Sequence, residues 1–435
     1  MSGRRVLYRG ARLLDPLTGT DRIGDLLTED EVIAALDPDI DPGIDPGDAQ
    51  VVDGTGYCLA PGLIDVRVFV QEPGAEHRET FATAGAAAAA GGVTTLITMP
   101  NTDPVIDDVA LVQYVTRRAR ETSPVRIQPM AALTKGLDGR RLTEMGLLGE
   151  AGALAFTDGD RALGDALVMS RALSYARAFD ALIVAHAEEP TLSAGGAMNQ
   201  GEIATRLGLP GIPKAAETIL IERDLRLVEI TGGRYHVAQV TCAESIAAVA
   251  QAKQRGLPVT CGTAPHYFAL NESAVGQYRT FAKTSPPLRA EADRQAVVAG
   301  LAAGVIDVIC SSHHPQDPES KRRPFARAAP GAVGLETMLA VALELVHRGD
   351  MAMLDVLATL TSSPARLLGL AGGRLAPGAP ADLVLFDPAA PWLVDADKFR
   401  SKSKNSPFDE RPLQGHAVRT VVAGRTVFVR RVEGA

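Results

Sequence analysis

The central part of the chain alternates short apolar runs with longer stretches of helical periodicity. Strands that alternate with helices form parallel sheets, because each crossover helix brings the chain back to start the next strand in the same direction. Eight such units in succession predict an α/β fold, a (β/α)8 (TIM) barrel. The predicted barrel strands are residues 63–70, 93–99, 126–130, 153–156, 182–186, 235–240, 259–262 and 306–311.

Both ends of the chain carry strand-like patterns instead of helical ones. The apolar segments are residues 6–15, 25–30 and 51–54 before the barrel, and 381–387 and 418–429 after it. Neither end has enough strands to bury a sheet face alone, so we predict one small β-sandwich-like domain formed from both termini. We place this domain at 1–60 and 368–435, which leaves 61–367 for the barrel. The acidic Pro/Gly-rich segment 37–48 is predicted to be a surface connection.

Composition narrows the function classes. The formal net charge of −8 argues against a nucleic-acid partner and against an anionic membrane surface. No apolar stretch is long enough for a signal peptide or a membrane span, so we expect a cytoplasmic protein. The four cysteines lie far apart with no C-x-x-C pair, and we expect reduced thiols that serve packing.

Short motifs lie along the predicted barrel strands and beyond them, and several follow the C-terminal strand ends, where barrel enzymes place their active sites. They are, in chain order, APGLID (60–65), QEPG (71–74), GGVTT (91–95), MPNT (99–102), FTD (156–158), AHAE (185–188), SPPLR (285–289) and SKNSPF (403–408). Together they resemble the class I dihydroorotases of the amidohydrolase superfamily, and the resemblance spans essentially the whole chain. It implies a metal-dependent barrel in which a divalent ion activates water to open the ring amide of dihydroorotate, or closes carbamoyl aspartate in reverse.

Such an ion is held by imidazole nitrogens and carboxylate oxygens with one position left open. The resemblance places the family's ligand positions on Arg67 and Phe69 in strand one, Asp158 in strand four, His186 in strand five, Gln239 in strand six and Ser312 in strand eight. A guanidinium has no free lone pair, and a phenyl ring has no donor atom. Four of the six positions have therefore lost the family's ligand, and we predict no catalytic residue and no metal cofactor.

Two family ligands remain, Asp158 and His186. Two ligands leave a zinc shell half empty, so we expect His186 to be a hydrogen-bonded core histidine. Arg67 and Phe69 share a parity and should point to the same side of their strand. We hypothesise that Arg67 occupies the metal's former space and pairs with the buried charge of Asp158.

The substrate positions implied by the resemblance are also altered. Gln71 stands where the family has an arginine that grips the substrate carboxylate, and Gln316 replaces a histidine. Asn101 matches a family residue that hydrogen-bonds substrate. We therefore expect Gln71, Asn101 and Gln316 to form a vestigial substrate site, with weak binding of a small dicarboxylate or a purely structural role.

Two other histidines could compensate for the lost ligands. His236 lies three residues before Gln239, hence on the opposite face of the strand, and cannot simply replace it. In the doublet His313-His314 only one ring can reach inward, and His313 is our candidate recruit for a reorganised site.

Three function hypotheses follow. The leading one is a catalytically inactive dihydroorotase-like protein that resembles the inactive dihydroorotase-like subunit of bacterial aspartate transcarbamoylases. It would serve as a structural or regulatory partner of the aspartate transcarbamoylase catalytic subunit, and this chain would form a homo-oligomer as well. The alternative is an active cyclic amidohydrolase of the dihydroorotase, hydantoinase or allantoinase type, with one zinc on Asp158, His186 and His313. The third is a ligand-binding sensor.

Overall fold

The computed structural model describes residues 4–36 and 49–430, so the predicted acidic connection at 37–48 lies outside the described residues. Its strands are β1 (Arg5–Asp15), β2 (Thr20–Glu29), β3 (Val32–Leu36), β4 (Gln50–Asp53), β5 (Cys58–Pro61), β6 (Leu63–Val68), β7 (Val93–Thr98), β8 (Arg126–Pro129), β9 (Ala131–Ala132), β10 (Phe156–Thr157), β11 (Leu182–Ala185), β12 (Met198–Asn199), β13 (Gly211–Ile212), β14 (Arg234–Val237), β15 (Val259–Thr263), β16 (Val308–Ile309), β17 (Leu383–Leu393), β18 (Pro412–Val422) and β19 (Arg425–Val429).

The helices follow the strands in the alternation that the sequence predicts. They are α1 (Phe81–Ala90), α2 (Val109–Thr122), α3 (Met145–Glu150), α4 (Ala166–Arg177), α5 (Pro190–Ser193), α6 (Glu202–Leu207), α7 (Ala215–Thr231), α8 (Ala243–Gln254), α9 (Pro265–Ala269), α10 (Glu291–Ala302), α11 (Pro318–Lys321), α12 (Met338–His347), α13 (Met353–Leu360) and α14 (Ser362–Leu368).

A parallel barrel forms the centre of the molecule. One run of strands is β6-β7-β8, and the other is β9-β10-β11-β14-β15-β16. Only Met130 separates β8 from β9, and a parallel bridge between Val68 and His313 joins β6 to the end of β16. All eight predicted strands are present, so the predicted barrel fold is confirmed. The ends of these strands bring the residues of the metal and substrate positions to one face of the barrel.

Each barrel strand is buried on both faces, which explains its nearly continuous apolar sequence. In β11, Leu182 and Val184 belong to the cluster that fills the barrel, whereas Ile183 belongs to the cluster between the strands and the helices. The alanine-rich helix α1 starts at a capping box between Thr80 and Thr83 and ends at Gly91. A Cβ on Gly91 would lie 2.0 Å from the Leu335 carbonyl oxygen, so only glycine fits there.

The two chain ends build one further sheet. Its strand order is β19-β18-β17-β5-β1-β2-β3, with β4 paired to β1. Strand β5 joins the ends because it runs parallel to β1 and antiparallel to β17. Tyr8, Leu13, Leu59 and Leu383 are packed in its own apolar core. The termini therefore form a β domain, with all eight strands hydrogen-bonded in a single continuous sheet.

Two further sequence features can be compared with the fold. All four cysteines are buried and unpaired with one another. Across residues 4–36 and 49–430, no helix has both the length and the apolar character needed to cross a membrane.

Candidate functional site

Arg67 lies buried inside the mouth of the barrel, with 3% of its surface exposed. Its Nη1 donates to the carbonyl oxygen of Gly159 at 3.2 Å, and its guanidinium carbon lies 5.2 Å from the centre of the Phe69 ring. Arg67 and Phe69 thus lie on the same side, as their parity predicts. Burial lowers the pKa of Arg67, and the nearby carboxylates of Asp160 and Asp65 oppose that shift.

The predicted ion pair between Arg67 and Asp158 is not present. The Asp158 carboxylate accepts instead from the backbone N–H of Leu133 at 3.1 Å, from that of Thr134 at 2.9 Å and from the Thr134 hydroxyl at 2.6 Å. Burial raises the pKa of Asp158, and these three hydrogen bonds limit the rise. Our pairing hypothesis was therefore wrong, because the loop after β9 already supplies the donors that the buried carboxylate needs.

His186 lies in a polar cluster at the end of β11. Its Nε2 is 3.3 Å from the Ser285 hydroxyl and 3.4 Å from Glu188 Oε2, and Ser285 donates to Glu188 at 2.8 Å. Burial by itself would raise the pKa of Glu188, but the hydrogen bonds from His186 and Ser285 and the charge of Arg289 bring it below its ordinary value. Because both Ser285 and Glu188 face the same ring nitrogen, the three do not form a nucleophile, base and orienting acid in series.

Gln239 follows β14 with 1% of its surface exposed, and neither its amide nitrogen nor its amide oxygen has a hydrogen-bond partner among the described residues. His236 points elsewhere: its Nδ1 is 2.8 Å from the Thr260 hydroxyl on the neighbouring strand. Burial, with the charges of Lys253 and Arg67, lowers the pKa of His236 to about 3. His236 is thus a neutral core histidine at neutral pH.

Replacing His236 with glutamine tests whether the buried imidazole is neutral in the folded protein. The unfolded chain binds a proton at His236 below its ordinary pKa of 6.5, whereas the folded chain does not until about pH 3. The stability of the native protein relative to the His236→Gln variant should therefore fall by about 1.4 kcal/mol per pH unit as the pH drops below 6.5. Unfolding midpoints of both proteins between pH 7.5 and pH 5 measure the difference. Parallel curves would contradict it.

In the segment after β16, the two adjacent histidines face different surroundings. His313 is fully buried, with its Nε2 3.2 Å from Glu79 Oε2 and its Nδ1 accepting from the Gly334 N–H at 3.3 Å. His314 stacks on Phe69 at a ring separation of 4.1 Å. The inward ring is thus His314, so our choice of His313 as the recruit was wrong, since Glu79 and Gly334 occupy both of its nitrogens.

Ser312, the residue at the family's aspartate position, has a left-handed backbone with φ of 51° and is 8% exposed. Because this left-handed residue lies beyond β16, the alternation of a strand does not extend to the two histidines, and the inward one could not be identified from parity. Sequence reasoning also gave no role to Glu188 or Ser285, although both lie within motifs of the resemblance.

The three vestigial substrate positions have different surroundings. Asn101 Nδ2 donates to Asp160 Oδ1 at 2.7 Å and to the Asp158 carbonyl oxygen at 3.3 Å. Gln71 Oε1 accepts from Arg78 at 3.4 Å. Gln316 is 5% exposed, and its side-chain oxygen lacks a hydrogen-bond partner within the described part of the chain.

These residues do not fit the divalent ion that the resemblance implies. Within residues 4–36 and 49–430, no three His, Cys, Asp or Glu side chains come together in a way that could hold a metal. Both oxygens of Asp158 are engaged by its neighbours, and the guanidinium of Arg67 binds the carbonyl of the very next residue, Gly159. A fixed positive charge at this place opposes a second cation.

Two protein-family models match this chain, one in its first half and one near its C-terminal end. Residues 56–245 match the family model described as dihydro-orotase-like, and residues 331–428 match the amidohydrolase family. A protein named dihydroorotase from Anaplasma phagocytophilum is 46% identical, and the alignment covers 97% of this chain and 95% of the relative. Another of that name, from a Wolbachia of Drosophila simulans, is 45% identical over 99% and 97% of the two chains.

Solved structures show the same architecture. The L-hydantoinase (dihydropyrimidinase) of Arthrobacter aurescens superposes with a TM-score of 0.88 at 26% identity, covering 99% of this chain and 96% of that one. The dihydropyrimidinase of Brevibacillus agri gives a TM-score of 0.84 at 22% identity, with 98% and 95% covered. The second likeness supports the fold alone.

Proposed function

Because the chain belongs to the dihydroorotase family of the amidohydrolase superfamily, we propose that it is a family member that no longer opens rings with a metal and acts by binding. The observation that carries this proposal is the position of Arg67. It stands at a ligand position of strand one, is buried, and holds the Gly159 carbonyl beside the surviving carboxylate of Asp158. A guanidinium can neither ligate a metal nor release its proton to make room for one.

We propose that the partner is the catalytic subunit of aspartate transcarbamoylase, within an assembly that contains more than one copy of this chain. The resemblance to inactive dihydroorotase-like subunits of bacterial transcarbamoylases supports this choice. Action in the cytoplasm is part of the proposal, supported by four buried cysteines that remain unpaired.

Co-expression with the transcarbamoylase catalytic chain of the same organism tests the partnership. We expect the two chains to co-purify as one larger species, with transferase activity or stability higher than that of the catalytic chain alone. The variant His186→Asn, which lacks one surviving family ligand, should support the transferase equally well. A transferase whose size, activity and stability are unchanged by this chain would contradict the proposal.

A second function has its own support. Curated relatives that are 41% to 46% identical over nearly the whole chain bear the name dihydroorotase, and this favours an active cyclic amidohydrolase. Such an enzyme would need one zinc on Asp158, His186 and a further ligand. The position of His314, stacked on Phe69 at the barrel mouth, makes it a better third candidate than His313. Under this second function, His186→Asn should abolish both zinc binding and hydrolysis of dihydroorotate.

A further inference from the structure

A cavity of about 590 Å³ lies where the segment before α12 meets the β domain. It is separate from the barrel mouth, because its lining includes none of the metal or substrate positions. Cavities of this size hold small organic ligands. The wall combines charged, polar and aromatic side chains, among them Tyr57, Glu336, Asp387, Trp392, His416 and Arg430.

Two carboxylates in this wall form no ion pair within the part of the chain that the structure describes. Glu336 Oε1 accepts from two backbone N–H groups at 2.6 and 3.2 Å, and Asp387 Oδ1 accepts from two others at 2.9 and 3.0 Å. Burial raises the pKa of Glu336 to about 7, and its hydrogen bonds and the charges of Lys404 and Arg400 offset only part of this rise. A close cation would stabilise both carboxylates.

The same wall holds one cation that is also unpaired. Arg430 Nε donates to the carbonyl oxygen of Ala417 at 3.1 Å, and its guanidinium carbon lies 5.9 Å from the centre of the Phe428 ring. Arg430 forms no ion pair with any residue that the structure describes. Burial lowers its pKa, and the charge of Glu336 opposes that shift. Arg430 and Glu336 are therefore close enough to interact but too far apart to pair directly.

The other groups of the wall leave this balance unchanged. Lys398 and Asp395 neutralise each other at 3.2 Å. His416 lies opposite Asp387 on the neighbouring strand, and burial and Arg430 lower its pKa, so its imidazole is neutral at neutral pH. The charges left without a partner are two negative and one positive. A ligand that matches them carries two cationic groups and one anionic group.

We propose that this cavity binds a basic α-amino acid, whose carboxylate pairs with Arg430. The α-ammonium group pairs with Glu336, because it is adjacent to the carboxylate in the ligand and Glu336 is near Arg430 in the wall. The side-chain cation pairs with Asp387, on the same strand as Trp392, whose ring face attracts cations. The inference goes beyond the proposed function and requires neither a metal nor a transcarbamoylase.

Trp392 is the single tryptophan of the chain, so its fluorescence in the full-length protein reports on this cavity. Three probes at constant ionic strength separate the charges. L-Arginine carries all three, agmatine lacks the carboxylate, and L-citrulline has a neutral urea in place of the guanidinium. We expect a saturable fluorescence change with L-arginine. Agmatine and L-citrulline should bind about tenfold more weakly or worse, because each leaves one charge of the wall unpaired.

Two variants assign the contacts. Arg430→Gln should weaken L-arginine binding about tenfold and remove its preference over agmatine, and Asp387→Asn should remove the preference over L-citrulline. Both variants keep a polar side chain of similar size, and their unfolding midpoints verify that they fold. The matched controls are Arg425→Gln and Asp397→Asn, which remove the same charges from exposed residues outside the cavity. They should leave the affinity for L-arginine unchanged.

A fluorescence titration and a calorimetric titration that are both flat with L-arginine would overturn the inference. Equal affinities for the three probes would also overturn it, as would L-arginine binding that is unchanged in both Arg430→Gln and Asp387→Asn. These outcomes leave zinc content and co-purification with the transcarbamoylase untouched, so failure of the inference can be told apart from failure of the proposed function.

Discussion

Replacing Arg289 with methionine is expected to lower the free energy of unfolding by about 3–5 kcal/mol, the usual cost of removing one partner from a buried ion pair. Arg289 and Glu217 are 3% and 0% exposed, and Arg289 Nη2 lies 3.2 Å from Glu217 Oε2. Arg289 also donates to Thr241 at 3.0 Å and to Asn199 at 3.2 Å. The variant would leave a carboxylate deep in the protein without its counter-charge.

The loss should be measured by thermal and urea unfolding against a matched control. Arg226→Met removes an exposed arginine that pairs with Glu229 at 3.4 Å, and it should cost about 1 kcal/mol or less. The double variant Arg289→Met, Glu217→Leu should cost less than the sum of the two single variants, because no charge is then left buried alone. Strict additivity, or a loss no larger than that of the control, would contradict this account of the pair.

Replacing Glu79 with alanine is the second large effect that we expect, again about 3–5 kcal/mol. Glu79 is fully buried and accepts from His313, from the Ser401 hydroxyl, from the Lys402 N–H at 3.1 Å and from Thr83. The carboxylate thereby joins the first barrel helix, the segment after β16 and the C-terminal part of the chain. Its removal would leave several buried donors without an acceptor.

Glu76→Ala provides the control for Glu79, because Glu76 is exposed three residues earlier and its carboxylate accepts only from the Gly74 N–H at 3.0 Å among the hydrogen bonds of the described chain. Its effect on the unfolding midpoint should be within about 0.5 kcal/mol. If Glu79→Ala were as harmless as this control, the carboxylate would not connect these three segments. Limited proteolysis near Ser401 offers a second readout, since the C-terminal segment should be cleaved faster in Glu79→Ala alone.

The barrel could be predicted from the sequence because the apolar segments and helical stretches that indicate it repeat regularly along the chain. Eight buried segments alternate with helices, and each of them appears in the fold. The terminal domain could be predicted for a related reason, since the strands of each end are too few to be stable alone. That β5 joins β1 and β17 in one sheet depends on pairing between residues far apart in the chain, which no local pattern specifies.

Side-chain partners were harder to predict than strand positions. The preference of Arg67 for a backbone carbonyl leaves no trace in the pattern of side chains, and neither does the loop that supplies N–H groups to Asp158. The reversed roles of His313 and His314 could not be predicted either, because the segment after β16 is not a strand and Ser312 has a left-handed backbone. The identity of the lost ligands, by contrast, came directly from residue chemistry at aligned positions.

The most direct measurement for the central claim is zinc content together with ring opening of dihydroorotate, made on the purified chain alone and with added zinc. The account predicts zinc far below one ion per chain and no turnover above the background, with His186→Asn indistinguishable from the native chain. One tightly held zinc per chain, with dihydroorotate hydrolysis that disappears in His186→Asn, would contradict it.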